Sequence, residues 1–178
     1  MQQIALPVFF VVLSVILRLL PHAWNVAPVI GVGLFCGAYL PRRWALVIPV
    51  LAMASGDFML GWIPEHLFGW IAILLSVFIG FILRHKRTPL RVAVASLFGS
   101  TIFFLLSNFG VWAVGCGKGF YPPTWEGLAA CYAAGIPFYR NSLAGDFLYA
   151  GILFGTYEFL LRWSSRASTV GIAVSKQP

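Results

Sequence analysis

The stretch LFGWIAILLSVFIGFIL (residues 67–83) contains no charged side chain, and the basic run RHKRTPLR follows it directly. A helix needs about 20 mostly apolar residues to cross the ~30 Å hydrocarbon core of a bilayer. In that core every backbone N–H and C=O group needs an internal partner, which a helix provides. The stretch therefore predicts a membrane-spanning helix that ends at a basic loop.

Composition extends this prediction to the whole chain. Of 178 residues, 60% are hydrophobic and 10% are charged, whereas about a quarter of the residues of a soluble domain are charged. We therefore expect an integral protein of the lipid bilayer. Breaks at Pro, Gly and charged residues predict an all-α membrane bundle of about six transmembrane helices, over residues 4–20, 26–40, 44–60, 67–83, 90–114 and 138–163, with a short outer helix over 124–134. Residues 1–163 are expected to form a single transmembrane domain, and residues 164–178 a disordered cytoplasmic tail.

Basic residues orient these helices. With six spans, nine Lys and Arg residues fall on one side of the membrane, and Arg18, Lys118 and Arg140 fall on the other. Because basic residues concentrate in cytoplasmic loops, we expect both termini in the cytoplasm. The net charge of +7 is thereby explained without a nucleic-acid partner.

Two aspartates interrupt apolar segments: Asp57 in SGDFML (55–60) and Asp146 in AGDFLY (144–149). At 1.5 Å per residue, each is expected ~10 Å inside the outer surface, on helices of opposite direction. A carboxylate at that depth is costly unless it is paired or faces water, so it marks a candidate functional site. Helical spacing adds polar and aromatic neighbours that would line an outward-open pocket. The predicted solute-binding residues are Asn25, Asp57, Asn108, Trp112, Tyr132, Asn141, Asp146 and Tyr149.

Structural roles compete with this interpretation. Asp57 could cap a helix or pair with an arginine. Asn25 and Asn108 could form hydrogen bonds between helices, and Trp112 could belong to the aromatic belt found at membrane surfaces.

Signatures of catalysis are scarce. The sequence contains no HExxH, GxSxG, P-loop or Rossmann glycine pattern, and SGDF and AGDF differ from the catalytic motifs of intramembrane aspartyl proteases. We predict no enzymatic activity, no catalytic residue, no metal site and no cofactor. Cys116 and Cys131 are expected on the outer side, where they could form a disulfide, act as small apolar residues or supply a thiol to a soft metal.

The architecture resembles that of the S-components of energy-coupling-factor (ECF) transporters, the membrane subunits that capture vitamins or metal ions. The shared features are six helices in a short chain, both ends inside, an aromatic outer loop before the last helix and no nucleotide site. Four segments are also similar to an uncharacterised bacterial family labelled as transport proteins: NVAPVIGVGLFCGAYL (25–40), SGDFMLG (55–61), SNFGVW (107–112) and YPPTWEGLAACYAAGIPFYRNSLAGDFLY (121–149).

This resemblance implies a substrate-binding subunit in a bacterial inner membrane that takes a vitamin-like or metal-containing solute from the periplasmic side. It would work with an ECF coupling subunit and ATPases, or as a solitary transporter. S-components dock their partner through small residues of the first helix, whereas FFVVLSVILRLL (9–20) is bulky, which leaves Gly33 and Gly37 as the candidate docking face. The alternative is a non-transport membrane protein, either an assembly factor or an intramembrane enzyme that uses Asp57 and Asp146.

Overall fold

A computed structural model describes residues 28–115 and 118–175, together with six single residues near the N-terminus, Ala5, Val8, Phe9, Val11, Val12 and Ile16. For residues 165–175 it describes the backbone alone. This part of the chain is all-helical and contains no strand. Five helices follow one another: α1 (Val29–Tyr39), α2 (Arg42–Leu60), α3 (His66–Leu83), α4 (Pro89–Gly115) and α5 (Trp125–Ser175).

Helices α2, α3 and α4 confirm the predicted third, fourth and fifth helices to within two residues at each end. Each is long and apolar enough to cross a membrane, which indicates a membrane protein. Helix α2 includes Pro49 and ends at Gly61, where φ is +106°. Side chains rarely tolerate that backbone conformation, so glycine favours the end of the helix there.

The predicted second span is a half-length helix. Helix α1 has 11 residues and is therefore ~16 Å long, about half of the hydrocarbon thickness. The predicted first span, residues 4–20, lies mostly outside the described residues. The described part of the chain thus contains three helices of full spanning length and apolar composition, and the six expected spans stay a prediction.

Helix α1 lies inside the bundle and is enclosed by the other four helices. Residues 30–38 are all buried. Its glycines allow close approach to α3, because a Cβ atom at Gly37 would lie 2.8 Å from the Cα atom of Gly80, and one at Gly33 would collide with Ser76. The expected docking role of the Gly33 and Gly37 face is therefore wrong: α3 already covers this face.

The same contacts define the direction of α1. Gly33 faces Ile73, and one turn later Gly37 faces Val77. Helix α1 therefore runs parallel to α3.

The bundle has two distinguishable ends. We call the end formed by residues 61–65 and 118–124 the outer end, and the end formed by residues 84–88 the inner end. The two names follow the sides of the membrane that the charge count predicts. Lys118 Nζ lies 3.1 Å from Glu65 Oε1, which places both outer loops together. Since α3 starts at the outer end, the N-terminus of α1 points toward the outer end from the middle of the bundle.

Aromatic rings join α1 to α5 near the inner end. Phe35 packs edge-on against Phe154 and Tyr157, with ring centroids 5.6 and 5.4 Å apart. The Tyr39 ring lies 4.4 Å from that of Tyr157. Such pairs are worth roughly 0.5–1.5 kcal/mol each beyond the area they bury. They fix the position of α1 against α5.

The predicted break before the last helix is wrong. The outer helix and the sixth helix are one continuous helix, α5, of 51 residues with Pro137 inside it. Proline removes one backbone hydrogen-bond donor. On either side of Pro137, however, the hydroxyl groups of Tyr132 and Tyr139 form hydrogen bonds with α4. This packing on both sides explains why the helix continues through the proline.

The predicted start of the outer helix is confirmed. Thr124 precedes the first residue of α5, and its Oγ1 accepts a hydrogen bond from the Gly127 N–H at 3.2 Å. Glu126 lies in the first turn, where a negative charge is favoured by the helix dipole. At its other end the α5 backbone is helical to Ser175, beyond the expected end at residue 163.

Candidate functional site

Asp146 is held at the start of α1. Its side chain is 2% exposed, Oδ2 accepts a hydrogen bond from the Ser100 hydroxyl at 2.7 Å, and Oδ1 accepts one from the Ile30 N–H at 3.2 Å. The Gly31 amide also bonds to this carboxylate. We call Asp146, Ser100 and the two amides the polar centre.

The polar centre satisfies the N-terminus of a buried helix. The first N–H groups of a helix have no partner within it and carry partial positive charge, and burying them unbonded is costly. Pro28 precedes α1 and supplies no side-chain cap. Asp146 instead supplies acceptors and a negative charge from another helix. Hydrogen bonds to a charged group contribute about 1.5–3 kcal/mol each, so the carboxylate and α1 stabilise one another.

Arginines satisfy the opposite end of α1. Arg84 donates from Nε to the Gly37 carbonyl at 2.7 Å and from Nη2 to that of Leu40. Arg87 donates from Nη2 to the Ala38 carbonyl at 3.4 Å. Cations at a helix C-terminus complement its partial negative charge. Helix α1 is thus held between a buried acid and two bases.

Glu158 belongs to this inner end as well. Tyr39 donates its hydroxyl to Glu158 Oε1 at 2.6 Å, and Arg87 Nη1 lies 3.6 Å from the same oxygen. The Arg87 guanidinium also lies 4.5 Å from the centre of the Tyr39 ring. These contacts connect Glu158 to α1 and to the loop between α3 and α4.

Asp57, the other buried aspartate, connects α2 to α3. It is 1% exposed, accepts a hydrogen bond from Trp70 Nε1 at 2.7 Å and lies 3.9 Å from His66 Nδ1. These partners differ from those of Asp146. The structural interpretation of Asp57 as a paired acid therefore has direct support, with a tryptophan and a histidine among its described partners.

Three predicted residues lie along the outer half of α4 and α5. Asn108 donates from Nδ2 to the Phe104 carbonyl at 2.9 Å, and a Cβ atom at Gly135 would collide with its side chain. Tyr132 donates its hydroxyl to the Leu105 carbonyl at 2.9 Å. Trp112 donates from Nε1 to the Pro122 carbonyl at 3.1 Å. Each of the three thus donates a hydrogen bond to the backbone of α4 or of the outer loop.

The other predicted residues are placed as follows. Asn141 is exposed and Tyr149 is half-buried, whereas Asn25 lies outside the described residues. Cys131 is buried, and its thiol contacts the Asn108 carbonyl at 3.3 Å. Cys116 lies outside the described residues, so a disulfide between the two stays a prediction.

At the outer end, Glu65 pairs with Lys118. Burial opposes the ionisation of Glu65, but hydrogen bonds from the backbone and from Lys118 outweigh it and hold the pKa of Glu65 below its usual range. The pair therefore stays charged at neutral pH and connects the loop before α3 to the loop before α5.

A cavity of about 380 Å³ lies between the inner halves of α4 and α5. Its wall is mostly apolar, with polar groups at Arg87, Ser96, Glu158 and Arg162. None of the seven predicted solute-binding residues that the structure describes lines it. The described lining residues are Arg87, Pro89, Val92, Ala93, Ser96, Phe147, Ala150, Gly151, Phe154, Gly155, Glu158, Phe159 and Arg162.

Sequence reasoning missed the serines and arginines of these sites. Ser96 and Ser100 are four residues apart on α4 and fully buried, a spacing that places both on one helix face. That spacing was a usable signal. Arg84 and Arg87 were interpreted only as orienting charges, and nothing in the local sequence identifies the carbonyl groups of α1 as their partners.

Comparison with known proteins identifies the family. The model described as "Family of unknown function (DUF6580)" matches residues 1–169, so the chain belongs to this family. No curated protein and no solved structure matches the chain.

Proposed function

No activity follows from membership of this family, and we propose from the geometry that the protein is a membrane transport protein that binds a small solute at the polar centre from the periplasmic side. The observation that carries the proposal is the start of a half-length helix, inside the bundle, against the buried carboxylate of Asp146. In many transporters, solute sites lie near the bilayer midplane where helices are interrupted. An ionisable group within a membrane segment is by default a functional candidate.

The depth of the polar centre agrees with this role. Helix α1 ends at the inner end and is ~16 Å long, so its N-terminus lies near the middle of a ~30 Å hydrocarbon layer. It points toward the outer end, which supports access from the periplasm. The solute would exchange its own polar atoms for some of the hydrogen bonds that Asp146, Ser100 and the amides of α1 make with one another.

The resemblance to ECF S-components leaves two forms of this function. A substrate-binding subunit would dock a coupling subunit with its ATPases, and a solitary transporter would not. The Gly33 and Gly37 face is covered by α3. Its loss as a docking surface favours the solitary form, with a vitamin-like or metal-containing solute as cargo.

Ligand identification tests the proposal. Native mass spectrometry of the purified protein should reveal a bound small molecule, and titration with it should then give the affinity. Asp146→Asn keeps the side-chain shape but removes the charge, and Ser100→Ala removes the hydroxyl. Each should weaken binding about tenfold to hundredfold, the value of one hydrogen bond to a charged group.

Ser76→Ala is the matched control. Ser76 is as buried as Ser100, but its hydroxyl donates to the Ile73 carbonyl of its own helix at 2.7 Å. This variant should bind as the wild type does. Wild-type affinity in Asp146→Asn, with only the thermal midpoint lowered, would overturn the proposal. Asp146 would then be a cap for α1, and a structural role such as that of an assembly factor would be favoured.

A further inference from the structure

The cavity between α4 and α5 ends close to the polar centre. Ser96 lies one helical turn from Ser100 on α4, and Ala150 lies one turn from Asp146 on α5; both Ser96 and Ala150 line the cavity. Along α4 the cavity extends from Pro89 to Ser96, ~10 Å at 1.5 Å per residue. One helical turn on each of α4 and α5 therefore separates the deep end of the cavity from the Ser100 and Asp146 side chains of the polar centre.

A buried hydroxyl marks the deep end of the cavity. Ser96 is 0% exposed, and its Oγ has no hydrogen-bond partner among the residues that the structure describes. Buried hydroxyl groups normally have a partner, and a buried hydroxyl group without one destabilises the folded protein. A polar atom of a ligand inside the cavity would supply that partner.

The other end of the cavity is charged. Arg87, Arg162 and Glu158 line it, so the charges of the lining residues that the structure describes sum to +1. Glu158 is engaged with Tyr39 and Arg87. Between this end and Ser96 the walls are apolar, including Phe147 and Phe154. The volume of about 380 Å³ lies within the 300–1,000 Å³ range of small-molecule sites.

We propose that this cavity is a second, inner binding site for a small organic anion and forms the inner half of the solute path that begins at the polar centre. The inference rests on the proposed function and names its substrate class. The anionic group lies near Arg87 and Arg162, the apolar body lies between Phe147 and Phe154, and a polar atom bonds to Ser96. Movement of the side chains around Asp146 and Ser100 connects the two sites.

Thiol accessibility tests the inner site without knowledge of the solute. In a variant without native cysteines, purified in detergent, Ser96→Cys is exposed to an anionic and to a cationic methanethiosulfonate. Only a thiol that water reaches forms the reactive thiolate. The anionic reagent should modify Cys at this position, and about tenfold faster than the cationic one, because a cleft of one charge sign concentrates the opposite ion.

Three further variants make the result specific. Ser76→Cys is the matched control: Ser76 is equally buried but does not line the cavity, so it should remain unmodified. Arg162→Gln should reduce the preference for the anionic reagent. Gly151→Leu should slow modification at position 96, because a Cβ atom at Gly151 meets no atom within 4 Å and a larger side chain there fills the cavity.

The outcomes separate the two proposals. An unreactive Ser96→Cys, or equal rates with both reagents, overturns the inner anion site, whereas solute binding through Asp146 is measured independently by titration. Protection of the thiol by anionic phospholipid nanodiscs, but not by detergent, also overturns it, because the occupant would then be a lipid. Selective modification by the anion, removed by Gly151→Leu, supports it.

Discussion

At Gly37, a hydrogen atom in place of a methyl group allows α1 and α3 to touch. The nearest atoms across the contact belong to the backbone of Val77 and Gly80, which cannot move as a flexible side chain does. Gly33 faces Ile73 and the Ser76 side chain in the same way. The glycine spacing seen in the sequence therefore predicts close helix packing correctly, but the partner is a helix of the same chain.

We expect Gly37→Ala to destabilise the protein by about 1–3 kcal/mol, the usual cost of an extra methyl group in a packed core. Unfolding in detergent, followed by circular dichroism, measures this. Gly155→Ala is the control, because a Cβ atom at that position meets nothing within 4 Å. Equal stability of the two variants would contradict the close packing of α1 on α3.

For the two buried aspartates, the sequence predicts only part of their environment. Their burial and its cost follow from the sequence, since each interrupts an apolar run. Their partners do not, because Trp70 is 13 residues from Asp57 and Ile30 is 116 residues from Asp146. A long-range partner of this kind depends on which helices become neighbours.

At the scale of the element, α1 is exceptional because it is short, buried on all sides and carries no charged residue. Its stability in the bundle depends on charges from elsewhere: Asp146 at the N-terminus, and Arg84 and Arg87 at the C-terminus. The apolar run of residues 26–40 predicts a helix. It does not predict that the helix stops halfway through the bundle.

Arg84→Met tests the C-terminal half of this arrangement. Methionine keeps an apolar stem but removes both hydrogen bonds to the carbonyl groups of α1. Because each involves a charged donor, we expect a loss of stability of roughly 1.5–3 kcal/mol or more. The thermal midpoint in detergent reports it.

Arg91→Met provides the comparison. Arg91 is exposed, and only its backbone N–H is engaged in a described hydrogen bond, so its replacement should leave the midpoint nearly unchanged. If both variants shifted the midpoint equally, the effect would come from net charge rather than from the capping of α1.

At the scale of the whole molecule, the directions of the helices determine where the polar centre lies relative to the two ends of the bundle. Helices α3 and α4 share the outer end, where Glu65 meets Lys118, and α1 runs parallel to α3 from the middle of the bundle to the inner end. The polar centre therefore lies between an outer surface of loops and an inner cavity. From the charge count we expect the outer end on the periplasmic side of the membrane and the inner end on the cytoplasmic side.

Site-specific labelling tests that location. In a variant without native cysteines, Lys86→Cys and Phe120→Cys place thiols at exposed positions beyond the two ends of α4. The 27 residues of α4 span ~40 Å, more than the hydrocarbon core. An impermeant thiol reagent should therefore label Phe120→Cys in intact cells and Lys86→Cys only in inside-out vesicles.

Labelling of both positions in detergent shows that each thiol is reactive. Labelling of both from the same side of intact membranes would contradict a membrane crossing by α4. Labelling from the reverse sides would keep the crossing and invert the expected orientation.

The sequence by itself determined the helical class, the length and apolar composition of α2, α3 and α4, and the placement of Asp57 and Asp146 within apolar segments. These properties depend on local hydropathy, on glycine and proline, and on the rule that backbone groups in hydrocarbon must bond within their own segment. Only the tertiary structure decided that α1 is half-length, that α5 continues through Pro137, and that Asp146 meets the amides of α1. Each of these depends on contacts between residues distant in sequence, whose free energy outweighs the local preference to break, extend or cap a helix.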